Sequence, residues 1–478
     1  MSGVSAAQDG GPVAGTTASS RSPYTLAIAA DTDRSLVRGW LWLGLLALIV
    51  SGVYSILLVA SRTPGINAML PVEDFFRVAL VVHVDLSVLV WFLALAGMLW
   101  SLSSRPRAPA LGWLALALAC AGTAMLGIAP FTGSGLPIMA NYIPVLDGGM
   151  FLYGLGVLGV AAALLVLRSL IAAPALGMAF DGSDVLRFGL NASVIATAVA
   201  LLAFAASLWL TPGGLDSQTY YEIAFWGGGH ALQFTWTLLM LVAWLWLASE
   251  IGARIPLSPR IALLLLMLAL VSVFVTPWAY LAHDVSTVEH RDLHTWAMRL
   301  GGGISIVPIG LAVVIGLVGS RRSPQPGHDA LRAALIASMI LFASGGIIGI
   351  FISGSNVRIP AHYHGCIVGV TLALMGLVYL LLPKLGYRTP QGRMACWQPS
   401  LYGAGQLMHI IGLVWSGGYG VQRKVAGAEQ ILRSKAEIAG MGLMGMGGLI
   451  AIIGGLLFVI VVWKALRAPQ SVAKEGQS

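Results

Sequence analysis

The chain is a succession of apolar runs of about 20 residues separated by short polar connections, and that alternation constrains it more than any motif. Wound as a helix rising about 1.5 Å per residue, each run is long enough to span the hydrocarbon core of a bilayer. Inside hydrocarbon every backbone N–H and C=O must find its partner within the protein, so long continuous apolar segments cross as helices. Only 10% of the 478 residues are charged while 58% are hydrophobic, too few charges to coat a water-soluble globule of this size. The fold predicted is an all-α, polytopic membrane bundle.

Twelve spans are expected, near 39–60, 75–101, 111–130, 148–170, 188–211, 222–248, 261–283, 296–319, 331–353, 361–383, 400–418 and 441–466. Residues 1–38, rich in Gly, Ala and Ser and without an apolar core, read as a disordered cytoplasmic tail rather than a signal peptide. Residues 39–466 then form the membrane domain and 467–478 a second cytoplasmic tail. An even number of crossings puts both termini on one side. Most of the 27 Lys and Arg, including Arg105, Arg107, Arg168, Arg187, Arg254, Arg260, Arg321, Arg322, Lys384 and Arg388, fall on that same side. The positive-inside rule therefore predicts a cell (inner or plasma) membrane protein with both termini in the cytoplasm. The same flanking cations explain the net charge of +8, which gives no ground for a nucleic-acid partner. Cys120, Cys366 and Cys396 are too scattered for a disulfide framework or a zinc pattern, and no Cys-x-x-Cys-His run is present to attach a c-type heme.

Imidazole is seldom placed in a membrane without a use. His83, His230, His283, His362 and His364 come from four spans, yet in the expected topology all lie in the outer third of the bilayer. His362 and His364, in Ala361-His362-Tyr363-His364-Gly365, stand two residues apart on one helix and so project about 200° apart. They cannot share one metal, but they can serve two centres on opposite sides of the helix. Neutral imidazole suits heme iron, copper and non-heme iron. Two imidazoles on opposite faces of a porphyrin make an electron-transfer heme, whereas one imidazole leaves a face open for a small gas.

These segments resemble subunit I of the heme–copper oxidase superfamily, which includes cytochrome oxidases and bacterial nitric oxide reductases. The likeness extends over roughly residues 40–465 and is strongest in four segments. These are His83-Val-Asp-Leu-Ser-Val-Leu-Val-Trp-Phe92, Phe225-Trp-Gly-Gly-Gly-His230, Trp278-Ala-Tyr-Leu-Ala-His283 and Pro360-Ala-His-Tyr-His-Gly365. The run Leu377-Val-Tyr-Leu-Leu-Leu-Pro383 is also similar. The resemblance implies two hemes, b-type being expected, with His83 and His364 as axial ligands of a low-spin heme and His362 as proximal ligand of a high-spin heme. It further implies His230 and His283 as ligands of a second metal, copper or non-heme iron, and Arg423-Lys424 as a cationic pair for heme propionates.

The chain also departs from the family. Ala282 stands where most members have the first of two adjacent histidines, so a further ligand is needed; the loop offers Asp284, Glu289, His290 and His294, of which Asp284 is the nearest expected donor, and a carboxylate would favour iron over copper. Phe234 occupies the position one turn after His230 where many oxidases have a tyrosine, and Tyr280 is expected to supply the missing hydroxyl. Acids gather toward the outer side (Glu73, Asp74, Asp85, Asp147, Asp216, Glu222, Asp284, Glu289), which predicts proton uptake from outside rather than pumping.

The function implied is a respiratory terminal reductase, with electrons passing from the low-spin to the high-spin heme to reduce O2 to water or NO to N2O. The sequence leaves that choice open. The alternative is a heme-binding electron carrier or gas sensor that has lost the second metal, motivated by Ala282 and Phe234; a transporter would explain the spans but not the histidines. A donor subunit carrying a c-type heme or a dinuclear copper centre is implied as partner, together with the lipid bilayer. His328 and His409 are not assigned a role.

Overall fold

A computed structural model of the chain describes residues 24–62, 75–133, 135–177, 179–320, 325–353, 356–421 and 434–467. The helices are α1 (Arg34–Arg62), α2 (Phe75–Val84), α3 (Trp91–Ser103), α4 (Pro109–Ile128), α5 (Gly149–Ile171), α6 (Gly182–Leu210) and α7 (Ser217–Glu250). They continue as α8 (Pro259–Val273), α9 (Val275–Ala282), α10 (Val288–Val318), α11 (His328–Ile350), α12 (Arg358–Lys384), α13 (Arg393–Gly418) and α14 (Lys435–Leu466). A π-helical turn, Asp85–Val90, joins α2 to α3 as one crossing. The all-α membrane architecture expected from the sequence is what the chain adopts.

Among the described residues eleven helices are long and apolar enough to cross a membrane. The twelfth expected span, 400–418, lies within α13, which has the length but not the apolarity. Two of its polar side chains are paired with neighbouring helices. Gln398 accepts from Tyr379 of α12 at 2.9 Å and donates to the Gly454 carbonyl of α14, and the His409 Nδ1 is 3.0 Å from the Met444 carbonyl. Interhelical hydrogen bonds of this kind let a less apolar helix sit inside a membrane bundle.

Burial separates an inner pair from the periphery. In α7 and α12 the apolar stretch is 83% and 89% buried, against 28% for the α8–α9 crossing, so α7 and α12 form the centre of the bundle. The break between α8 and α9 follows from Pro277, whose ring clashes with the carbonyl four residues earlier, at Val273, where α8 ends. Helix α10 begins at Val288, eight residues before the expected start of that span at 296. Thr287 caps it by accepting from the His290 N–H, and Glu289 in its first turn complements the helix dipole.

Two further features differ from expectation. Part of the stretch expected as a tail is packed: Tyr24 is buried, its N–H donates to Ser249 Oγ at 3.0 Å and its hydroxyl to the Leu257 carbonyl at 2.7 Å, and α1 already starts at Arg34. A buried aromatic ring with both polar groups paired ties this stretch to the α7–α8 connection. The connection between α4 and α5 contains an antiparallel hairpin, β1 (Leu136–Ile138) with β2 (Val145–Asp147), packed against the starts of α2 and α7.

Candidate functional site

The histidines of α12 face different neighbours, as their spacing requires. His362 turns toward α11, with Nδ1 2.7 Å from the Gly345 carbonyl. His364 turns toward α13, its ring centroid 4.7 Å from that of His409. The α11–α12 crossing is close enough for the first contact because both helices carry glycine at the crossing. A Cβ on Gly365 would lie 2.5 Å from the Gly345 Cα, and one on Gly349 would lie 2.7 Å from His362 Nδ1.

His83 is held in the same manner as His362. Its Nδ1 lies 3.0 Å from the Ser51 carbonyl, 2.9 Å from Ser51 Oγ and 3.0 Å from Ser55 Oγ, all on α1. In both residues a carbonyl takes the Nδ1 proton, which fixes the tautomer and leaves the Nε2 lone pair uncommitted. That is the arrangement an axial imidazole of heme iron needs. His83 and His409 are both near enough to His364 to interact with it electrostatically.

The second cluster draws on His230 and on two of the loop donors offered for the missing ligand. His230 of α7 is joined by His290 and His294 of α10, with ring centroids 5.9 Å apart for His230–His294 and 4.6 Å for His290–His294. All three are buried, His290 and His294 at 1% exposure each. Their spacing of four residues puts His290 and His294 on one face of α10. His294 Nδ1 donates to the His290 carbonyl at 2.8 Å, while among the described residues His294 Nε2 and both ring nitrogens of His290 have no hydrogen-bond partner. Buried nitrogens left unpaired are costly, and a metal is a partner that would take them. The side chains are gathered but not closed around a point: among the described residues no three such groups already stand in ligating geometry.

His283 and Asp284 stand beside that gathering, each near enough to His290 to interact with it electrostatically. His283 caps the end of α9 in extended conformation and is half-exposed. The Asp284 carboxylate is exposed and accepts from the Ser286 hydroxyl at 2.6 Å and the Ser286 N–H at 2.9 Å, bonds that hold it below the usual carboxylate range. The Tyr280 ring packs edge-on against His290 at 4.7 Å, but its hydroxyl is turned to α6, where it meets Ser207 Oγ at 2.5 Å and the Ala203 carbonyl at 3.0 Å. Arg423 and Lys424, expected at heme propionates, lie outside the described residues.

The hydroxyl that reaches the cluster comes from the hairpin instead. Tyr142 OH stands 3.0 Å from His230 Nε2, with the rings 4.9 Å apart. Gly229 leaves the room, since a Cβ there would run into the Tyr142 ring. Burial pushes the Tyr142 phenol up, so it keeps its proton at neutral pH and donates to His230 Nε2, while His230 Nδ1 donates to the Trp226 carbonyl at 2.9 Å. Around this contact the hairpin is clamped to the first turns of α7: Asn141 to Glu222 at 2.7 Å, and Asp147 to Ser217 and Tyr221 at 2.9 Å each. The sequence carried a signal for the α10 pair in Thr287 and in the four-residue spacing of His290 and His294. For Tyr142 it carried none.

Comparisons with known proteins cover almost the whole chain. Over 91% of its length it is 29% identical to an uncharacterized protein of Rickettsia prowazekii (strain Madrid E), covering 96% of that protein. Over 75% of its length it is 28% identical to an uncharacterized protein of Aquifex aeolicus (strain VF5), covering 88% of that protein. The family model for cytochrome c and quinol oxidase polypeptide I matches residues 35–457, a stretch that begins in α1, ends in α14 and takes in every histidine described above. On that match the chain belongs to the family of cytochrome c and quinol oxidase polypeptide I, the heme-dependent oxidoreductases of membrane electron transport.

Proposed function

We propose that the chain is the catalytic subunit of a membrane respiratory terminal reductase that reduces a diatomic gas, O2 to water or NO to N2O. The observation that carries this reading is the division of labour on α12, where His362 faces α11 and His364 faces α13. One helix can thereby join two hemes. His83 and His364 would hold the low-spin heme between α2 and α12, and His362 the high-spin heme. His230, His290 and His294 would hold the second metal, a set of three imidazoles that suits copper as well as iron. When bound, these groups supply electron storage and an open coordination position for the gas.

The protein's own part is to orient and insulate. The Ser51 and Gly345 carbonyls fix the His83 and His362 tautomers, and α7 and α12, the most buried crossings, keep water from the space between them. A donor subunit with a c-type heme or a dinuclear copper centre would deliver electrons. In the orientation the flanking cations favour, both termini are cytoplasmic and the hairpin faces outward.

Metal and heme stoichiometry on the purified protein, with a reduced-plus-CO spectrum, tests the reading. Two hemes, a CO shift and one further copper or iron are expected. Two hemes without a third metal would replace it with the electron carrier or gas sensor, a reading that the existing Tyr142–His230 hydrogen bond favours. Anaerobic NO turnover without O2 turnover would assign the gas as NO, and the opposite result as O2.

A further inference from the structure

The geometry points to Tyr142 as the fourth donor of the metal centre at His230, His290 and His294, binding through its phenol oxygen as phenolate. This rests on the reading of those three histidines as metal ligands.

Tyr142 O and His230 Nε2 are 3.0 Å apart. Two donors on one metal, each bonded at about 2.0–2.1 Å, stand about 2.9 Å apart at a right angle and about 3.4 Å apart in a tetrahedron, so the pair is already within the range of neighbouring ligands. A metal taking the His230 Nε2 lone pair removes the acceptor to which the Tyr142 hydroxyl now donates. The hydroxyl is then left beside a cation in a buried site, and the cheapest remaining partner for its oxygen is that cation. The hairpin cannot readily carry the ring away, because Asn141 and Asp147, on either side of Tyr142, are bonded to the first turns of α7. Space is provided at Gly229, and Trp226 packs edge-on to the Tyr142 ring at 5.8 Å. His230 Nδ1 stays on the Trp226 carbonyl throughout, so that imidazole offers only Nε2 to the metal.

The step involves no electron transfer. A divalent ion replaces the phenol proton, the O–H bond breaks, a metal–oxygen bond forms, and one proton leaves to solvent. Three neutral imidazoles release none.

The test is a calorimetric titration of Zn2+ into heme-replete, metal-depleted full-length protein, run in two buffers of different protonation enthalpy. Wild type is expected to release about one proton more per zinc than Tyr142→Phe, at equal zinc stoichiometry, since the variant keeps the ring and its packing. Equal proton release in the two proteins overturns the role of Tyr142. His290→Ala separates the two layers. If it lowers zinc uptake while wild type and Tyr142→Phe release protons equally, the histidine centre stands and the tyrosine falls. If wild type takes up no zinc, or His290→Ala takes it up as wild type does, the histidine reading fails and the inference with it.

Discussion

His290→Leu is a substitution whose effect on stability should change sign with the metal. Both ring nitrogens of His290 are buried and, among the described residues, unpaired, and the side chain is 1% exposed. An unsatisfied buried polar group costs about 1–3 kcal/mol, so leucine, similar in volume and without polar atoms, relieves two such costs. Water reaching either nitrogen reduces the gain, and a net stabilisation of about 2 kcal/mol is the working figure for metal-depleted protein. With metal bound the same change removes a ligand. Even partners one shell out are worth about 10- to 100-fold in metal affinity, or about 1.4–2.7 kcal/mol. The variant should therefore outlast wild type in chelator and unfold sooner than wild type in the presence of the metal. The assay is the half-life of heat unfolding in detergent followed by tryptophan fluorescence, a rate measurement suited to a protein that does not refold reversibly. A variant less stable than wild type in chelator would show that His290 is a satisfied core residue and would refute the argument.

Gly365→Ala puts a Cβ 2.5 Å from the Gly345 Cα, so α11 and α12 must separate and His362 loses its carbonyl. The expected result is loss of the CO-reactive heme with retention of the low-spin one, read from the reduced-plus-CO spectrum. Asp284→Asn should leave the third-metal content unchanged, because that carboxylate is exposed and committed to Ser286; loss of the metal on this change would restore Asp284 as a ligand. The depressed carboxyl of Asp284 contributes stability above the ordinary carboxylate range and loses it only as pH falls through its lowered value. Thermal stability measured from pH 8 to pH 5 should accordingly run in parallel for wild type and Asp284→Asn. Glu222→Ala removes the acceptor shared by Asn141 and Gln218, and limited proteolysis should then begin within residues 136–147.

Much of the architecture could be read from the sequence because hydrocarbon length is a strict ruler. The α12 pair was equally legible, since a two-residue spacing on a helix decides which faces the imidazoles take. Helix α10 was located correctly only from its apolar body. Its first two turns, Val288-Glu-His-Arg-Asp-Leu-His-Thr295, are polar, and hydropathy reads such residues as a loop. That reading offered His290 and His294 only as loop donors behind Asp284 and put the weight on His283, which the family pattern favours. The relation between Tyr142 and His230 spans 88 residues and depends on a hairpin of three-residue strands, for which no periodicity exists to detect. Helix α13 was overestimated in apolarity because Gln398 and His409 find their partners on α12 and α14, a pairing visible only after folding.

The π-helical turn Asp85–Val90 begins two residues past His83 and ends just before the buried Trp91. A π turn is an α-helix carrying one residue too many, so everything after it is rotated by about 100° relative to an uninterrupted helix. The span is thus two faces set at an angle by a single inserted position: one aims His83 toward α1, the other packs Trp91 and Phe92 into the bundle. Deleting any one residue between Asp85 and Val90 would straighten the helix and misdirect one face or the other. The lesion to which this crossing is most vulnerable is therefore a change of length, and a gap-free alignment that ignores the turn would assign half of the span to the wrong neighbours.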